Sequence, residues 1–169
     1  SSDLEEGGIT SAFFEFSEFS NEIRNLHKTR VIKEHWLLAN SSHLLNLVFS
    51  LIGSPIDGNW HAWQDGQLDW HPAGARFHGA GLSKQQIPFA YHADWEAPGS
   101  WGVEILTRQN RYALKPLETL KAVQNDYSYG QPIELKDELD HKFKPGLYLQ
   151  CRSFLSDETS ALCSLSDHI

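Results

Sequence analysis

His43 is the side chain of this sequence whose position best suits proton transfer. It follows Asn40-Ser41-Ser42, and short polar residues of this kind cap helix N-termini. The apolar run that begins there ends at Gly53-Ser54-Pro55, which predicts a helix to about Ile52 with His43 in its first turn. The helix dipole favours the neutral imidazole at that end, and a neutral imidazole can exchange a proton with a substrate hydroxyl. The plain alternatives are a capping or core histidine at 43 and an N-cap at Asn40.

Other catalytic and ligand-binding patterns are absent from the sequence. The nine histidines lack metal-site spacing, with no His-Glu-x-x-His and no Cys-x-x-Cys, so we expect no metal site. No serine lies in a Gly-x-Ser-x-Gly turn, and neither Cys151 nor Cys163 has a candidate base nearby in sequence. Gly79-Ala-Gly81 lacks the third glycine of a dinucleotide-binding turn. We therefore expect no cofactor to bind this chain alone.

Composition excludes several classes of partner. The net charge is −8, with scattered acidic residues, which argues against nucleic acid or an anionic membrane as a partner. No apolar run approaches the length of a membrane span, and two cysteines are too few for a disulfide framework, so a cytoplasmic location is expected. The chain contains no methionine, which predicts that Ser1 is not an encoded start. The chain would then be trimmed, processed or cut out of a larger protein, and the last is the alternative that we favour.

Residues 89–114 predict the central strands of a sheet. Val103, Ile105 and Thr107 alternate with their neighbours, a polar break follows at 108–111, and the alternation resumes at 112–114. This pattern predicts a hairpin in which Asn110 takes the left-handed conformation. A strand over 89–95 precedes it across a Pro-Gly turn, so we expect three adjacent strands in an antiparallel meander at the centre of the molecule.

The remaining elements complete an α+β domain with helices on one face of an open, mostly antiparallel sheet. Residues 1–8 are expected to be a linker or chain edge, and 9–169 one domain. The further predictions are a strand over 9–16, a short helix capped by Ser17, a 59–64 and 67–70 hairpin turning at Asp65-Gly66, strands over 75–82 and 117–123, a loop over 126–131, and a final helix with Leu147, Cys151, Phe154 and Leu155 buried.

The predicted 40–52 helix is expected to be mostly buried. His43, Asn46 and Ser50 share one narrow polar face. The apolar stripe is formed by Leu44, Leu47, Val48 and Leu51 and is widened by Leu45, Phe49 and Ile52. The sequence also holds six tryptophans, four of them between Trp60 and Trp95. They could stack on sugar rings, but core or interface positions are the more ordinary interpretation.

Taken together, several short motifs resemble the C-terminal domain of the glucose–fructose oxidoreductase and inositol dehydrogenase family. They cover roughly residues 9–168, and their order and spacing carry the resemblance. The motifs are Asn40-Ser-Ser-His43-Leu-Leu-Asn46 with Leu51-Ile-Gly-Ser-Pro55, Trp101-Gly-Val-Glu-Ile-Leu-Thr107, Leu114-Lys-Pro-Leu-Glu118, and Lys144-Pro-Gly-Leu147 with Phe154-Leu155.

The resemblance implies the second half of an NAD(P)-dependent sugar or polyol dehydrogenase, inactive by itself. An N-terminal Rossmann domain would bind NAD or NADP and supply a catalytic lysine, while this half shapes the substrate site and mediates homo-oligomerisation through its sheet. His43 matches the family's catalytic histidine. The aspartates that commonly flank it fall on Ala39 and Asn46, so both acids are missing, and Asn40 and Asn46 remain as neutral groups that could orient His43 or a substrate hydroxyl.

Two other functions remain open from the sequence. One is a free-standing domain that binds carbohydrate or a protein partner through an exposed sheet face. The other is a self-assembly domain whose sheet face pairs with a copy of itself.

Overall fold

The computed structural model describes residues 8–124, 130–135, 138–144 and 146–156. Contacts divide the chain into two compact units, one ending at Ile133 and the other beginning at Glu134. Residues 1–7 of the expected 1–8 linker and most of the expected 126–131 loop lie outside the described residues.

The first unit is an eight-stranded sheet with short helices. Its elements in chain order are β1 (Ile9–Ser17), α1 (Ser20–Asn25), α2 (Arg30–Glu34), a π-helical turn (Leu37–Ser41), α3 (Ser42–Ile52), β2 (Pro55–Asp65), β3 (Arg76–Ser83), β4 (Pro88–Asp94), β5 (Ser100–Thr107), β6 (Asn110–Leu114), β7 (Leu120–Gln124) and β8 (Gln131–Ile133). The strand order is β2-β3-β4-β1-β5-β6-β7-β8, and among the described strands β1 and β4 form the one parallel pair. The predicted open, mostly antiparallel sheet is confirmed.

The first strand lies at the centre of this sheet. Phe14 of β1 is opposite Tyr91 of β4 on one side and Val103 of β5 on the other. The predicted meander of the 89–95, 103–107 and 110–114 strands is therefore wrong, because β1 separates β4 from β5. The β5–β6 hairpin itself is confirmed. Asn110 does not take a left-handed conformation, and Gln86, with φ 62°, is the non-glycine residue that does so among those described.

The core lies between α3 and one face of the sheet. Successive β1 residues alternate in burial: Phe14 is fully buried, while Phe13 is 42% exposed. The α3 side chains that meet this face are Leu44, Val48 and Ile52, all fully buried and spaced four residues apart, one helical turn. The buried face of α3 therefore differs slightly from the predicted one, because Leu51 is exposed and Ile52 lies in the core instead.

Two predictions about chain turns are wrong. No strand forms over 67–70, because Asp65 of β2 pairs directly with Arg76 of β3 and the intervening ten residues form the connection. Ser17 does not cap α1, which begins at Ser20; Ser17 belongs to β1, and its hydroxyl accepts a hydrogen bond from the Asp94 backbone N–H. In both places the residue pairs with a partner farther along the chain than predicted: Arg76 for Asp65, and Asp94 for Ser17.

In the second unit, the described residues form two short helices, α4 (Glu138–Lys142) and α5 (Leu147–Leu155). The predicted final helix is present, but its predicted buried side is wrong. No α5 residue is buried, and the side chains of Leu147, Cys151, Phe154 and Leu155 are not buried in a core. Cys163 lies outside the described residues.

Candidate functional site

The structure places His43 on the surface of α3. His43 is exposed and Asn46, one turn later, is half-buried. The premise of a free helix N-terminus at this point is wrong, because the π-helical turn runs directly into α3. Ser41 already has right-handed helical angles, and the backbone N–H of Ser42 donates to the Leu37 carbonyl. The helix-dipole argument for His43 therefore has no structural basis, although the side chain is exposed.

A buried carboxylate explains why Asn40 and Ser41 do not cap α3. Glu18, at the end of β1, is only 3% exposed. Its Oε1 accepts hydrogen bonds from the Ser41 hydroxyl at 2.6 Å and from the Asn40 side-chain amide at 3.2 Å. Burial raises the pKa of Glu18, and these two hydrogen bonds partly offset the rise, with a smaller contribution from Trp36. Glu18 thus ties the end of β1 to the turn that leads into α3.

An apolar cavity of the first unit lies between this helical segment and the β2 edge of the sheet. Its volume is about 360 Å³. Leu37, Leu45 and Phe49 form the helical side. The sheet side and rim are formed by Phe16, Pro55, Trp60, Ala62, Trp63, Gln64, Phe77, Phe89 and Tyr91. The predicted site residues His43, Asn40 and Asn46 do not line this cavity.

Small residues in the sheet create this space. Ala62, Gly79 and Tyr91 are opposite one another across β2, β3 and β4, so their side chains share one face of the sheet. A Cβ added at Gly79 would lie 2.4 Å from the Tyr91 ring, so the phenol lies across the glycine. Burial raises the pKa of the Tyr91 hydroxyl, with no other contribution. The sequence signal for this cavity is the pair Gly79 and Gly81 at alternate positions of β3, with Ala62 of β2 opposite Gly79.

A second group of aromatic side chains fills the space beside α1 and the 66–75 connection. The rings of Trp70 and Trp95 stack with centroids 5.6 Å apart, and His71 packs edge-on against Trp95 at 4.7 Å. His71 is buried, and its Nδ1 is hydrogen-bonded to the Gly74 carbonyl at 2.7 Å. Burial lowers the pKa of His71. Trp70 and Trp95 are thus core residues, as the ordinary interpretation of the tryptophans predicted, whereas Trp60 and Trp63 are exposed.

The opposite face of the sheet is accessible and carries charged and aromatic groups. Glu15 of β1 accepts a hydrogen bond from Lys115 at 2.8 Å and lies 3.6 Å from His92 of β4. Burial raises the pKa of Glu15, but Lys115 and His92 outweigh it and hold that pKa below its ordinary value. The rings of His92 and His78 stack at 5.7 Å, and Trp63 packs against His78. Phe13 of β1 and Trp63 of β2 are exposed on this face.

Two kinds of feature are absent from the described residues. No group of three or more histidine, cysteine, aspartate or glutamate side chains there is arranged to hold a metal ion. None of the helices in that part of the chain combines the length and apolar character needed to cross a bilayer.

Comparisons with known proteins identify the fold. No family model matches the sequence, and no curated protein matches it. Among solved structures, the UDP-N-acetylglucosamine 3-dehydrogenase GnnA from Acidithiobacillus ferrooxidans matches 94% of this chain over 48% of its own, with TM-score 0.63 and 14% identity. A protein described as an NADPH-dependent oxidoreductase from Desulfitobacterium hafniense matches 99% of this chain over 52% of its own, with TM-score 0.67 and 9% identity.

A levoglucosan dehydrogenase solved with NADH and levoglucosan matches 79% of this chain over 42% of its own, with TM-score 0.58 and 12% identity. The chain thus spans about half the length of the enzymes that it matches. These matches confirm the predicted resemblance at the level of the fold. The chain has the fold of the C-terminal half of dehydrogenases of the glucose–fructose oxidoreductase and inositol dehydrogenase type.

Proposed function

We propose that this chain is the substrate-binding and oligomerisation half of an NAD(P)-dependent sugar or polyol oxidoreductase. The supporting observation is the match of 94% of the chain to 48% of a sugar-nucleotide dehydrogenase. The proposed partner is an N-terminal Rossmann domain of the same protein, which would hold NAD or NADP, and the proposed location is the cytoplasm. The described residues contribute no phosphate-binding glycine turn, so the chain alone would not turn over substrate.

In this proposal His43 is the acid/base or substrate-orienting group. Oxidation would transfer a hydride from a substrate carbinol carbon to the nicotinamide while the hydroxyl proton passes to His43. Its exposure on α3 leaves the imidazole accessible to a substrate. Asn46, one turn along the same helix, would orient the substrate hydroxyl. Asn40 would act beside it, with its amide N–H already donating to Glu18.

The test is dehydrogenase activity of the full-length protein with NAD and NADP and a panel of sugars and polyols. We expect His43→Ala to lower kcat by about 10²- to 10⁴-fold, the usual contribution of a general acid or base. His27→Ala is the matched control, because His27 is also exposed but lies outside the helix. A His43→Ala enzyme with normal turnover would remove His43 from the mechanism. Activity of this chain alone with NAD(P) would contradict the proposal that a separate N-terminal domain binds the cofactor.

The alternative is a free-standing carbohydrate-binding or self-assembly domain. The accessible sheet face supports it, since Phe13 and Trp63 are 42% and 55% exposed there. The intact mass of the protein from its natural host separates the two proposals. A mass above 19.2 kDa by one further domain of about 100–150 residues supports the oxidoreductase. A mass equal to that of this chain supports the alternative.

A further inference from the structure

The cavity between the helical segment and the β2 edge is separate from the proposed dehydrogenase site. Leu45 and Phe49 of α3 line it, and His43 does not. Residues two positions apart on a helix lie on nearly opposite sides, so His43 and Leu45 face different surroundings. A ligand in the cavity would therefore not be held in reach of His43. The cavity is therefore a candidate site of its own.

The chemistry of the walls does not suit a free sugar as a ligand. Most of the lining side chains are aliphatic or aromatic, with Phe16, Phe77 and Phe89 among them. A sugar ring would leave most of its hydroxyl groups without partners there, and each unpaired group would cost binding affinity. Small-molecule sites typically combine such apolar walls with one or two polar groups that set orientation. Among the lining residues, Gln64, the Tyr91 hydroxyl and the indole N–H groups of Trp60 and Trp63 are the polar side-chain groups.

The size of the space also favours a ring. A cavity of about 150 Å³ with apolar walls binds benzene, and small-molecule pockets begin near 300 Å³. The present volume of about 360 Å³ is large enough for two fused rings. The rings of Tyr91 and Phe14 stack at 5.3 Å, and Phe49 meets Phe89 edge-on at 5.4 Å, so these walls support one another. The lining side chains therefore keep these ring contacts while the space between them stays open.

The Tyr91 hydroxyl defines the polar requirement of the ligand. Its ring lies over Gly79, with the hydroxyl oxygen 2.5 Å from where a Cβ would be, so the hydroxyl extends towards Ala62 of β2. Neither a hydrogen bond nor a charge contributes to the shift of the Tyr91 pKa. A phenol in such surroundings gains by donating to a carbonyl or ether oxygen. We propose that this cavity is a binding site for a small, mostly apolar ring compound that carries one hydrogen-bond acceptor, such as a cyclic ketone.

Titration calorimetry with 1-indanone and with indane tests the proposal. The two probes share a fused-ring skeleton, and only the ketone offers an acceptor. We expect saturable binding of both, with 1-indanone tighter by about 2- to 10-fold, the usual net effect of one hydrogen bond. Tyr91→Phe should remove that difference and leave indane binding unchanged.

Two substitutions on β2 locate the binding. Ala62→Leu fills the cavity and should weaken both probes more than about 10-fold, because Leu adds three carbons to the space. His61→Leu places a similar side chain on the opposite face of the same strand and should bind both probes as the natural chain does. If Ala62→Leu fails to fold, Ala62→Val serves in its place.

Three results would overturn the proposal. One is the absence of saturable binding by either probe. The second is undiminished binding in the folded Ala62→Leu protein, which would place the ligand elsewhere. The third is a change of sedimentation mass in Ala62→Leu without probe binding to the natural chain, which would make the cavity a contact between copies. None of these results depends on dehydrogenase activity, so this proposal and the proposed function fail separately.

Discussion

The Oε1 atom of Glu18 accepts a hydrogen bond of 2.6 Å from the hydroxyl of Ser41, 23 positions later in the chain. This contact joins the end of the central strand to the π-helical turn before α3. It also places an acidic side chain where water does not reach. A carboxylate in such a place prefers its neutral form, and that preference makes the stability of the fold depend on pH.

We expect Glu18→Gln to flatten part of this pH dependence. Because the pKa of Glu18 is raised above its ordinary value of 4.5, the folded protein keeps a proton that the unfolded chain has released. The contribution is fully present below that ordinary value and is lost as the pH rises through the folded pKa. The check is the difference in free energy of unfolding between the natural chain and the variant, by urea titration at several pH values. The difference should favour the variant increasingly as the pH rises.

Glu22→Gln serves as the control for Glu18, since Glu22 is exposed on α1. It should show no comparable trend. Glu18→Ala should instead lower stability by about 1–3 kcal/mol, because the Ser41 hydroxyl and Asn40 amide would lose their buried acceptor. A difference between the natural chain and Glu18→Gln that stays constant with pH would mean that Glu18 is solvated.

His71 should give a pH dependence of the opposite sign. Burial lowers its pKa below 6.5, so the folded protein releases a proton that the unfolded chain still holds. The stabilising contribution is present above pH 6.5 and is lost as the pH falls through the folded pKa. His71→Asn retains an N–H group for the Gly74 carbonyl and does not titrate. Relative to this variant, the natural chain should lose stability as the solution is acidified below that pH, measured by thermal unfolding in matched buffers.

The exposed His27 provides the comparison for His71. His27→Asn should follow the natural chain across the same pH range. Because His71→Asn also removes ring volume, a constant loss of about 1–3 kcal/mol is expected at every pH, and only the slope tests the burial of the imidazole.

Two adjacent phenylalanines test the position of β1. Phe14 is fully buried between β4 and β5, so Phe14→Ala should cost about 3–5 kcal/mol of unfolding free energy. Phe13 lies on the other face and is 42% exposed, so Phe13→Ala should cost far less. Chemical denaturation of both variants measures the difference. Equal losses would contradict the face assignment of the central strand.

Gly79 should tolerate no side chain without moving Tyr91. A Cβ there would lie 2.4 Å from the Tyr91 ring, which must then rotate or shift. We expect Gly79→Ala to lower stability by about 1–3 kcal/mol, the usual cost of overpacking. Gly130→Ala is the control, because the nearest atom to its added Cβ is 3.4 Å away. The melting temperatures of the two variants give the comparison, and similar values would mean that Tyr91 adapts freely.

Local sequence determined most strands, the 42–52 helix and the β5–β6 hairpin. Each of these depends on periodicity and turn residues within a few positions, such as Gly53, which ends α3 with φ 80°. The family resemblance likewise rested on short motifs in order, and the fold agrees with it. The roles of His43, Asn40 and Asn46 stay predictions, because no observation on the described residues tests them.

Tertiary structure alone decided the order of the strands and the surroundings of the candidate sites. Insertion of β1 between β4 and β5 buries Phe14 on the helix side of a parallel pair, a gain that no local pattern records. The partner of Ser41 is a carboxylate far away in sequence, so a residue typical of an N-cap stabilises a buried acid instead. The cavity depends on Ala62, Gly79 and Tyr91 meeting across three strands. Many strand arrangements satisfy the local sequence patterns, and the one that buries the most apolar surface is favoured. The total buried surface depends on contacts between distant residues, so it is a property of the folded chain.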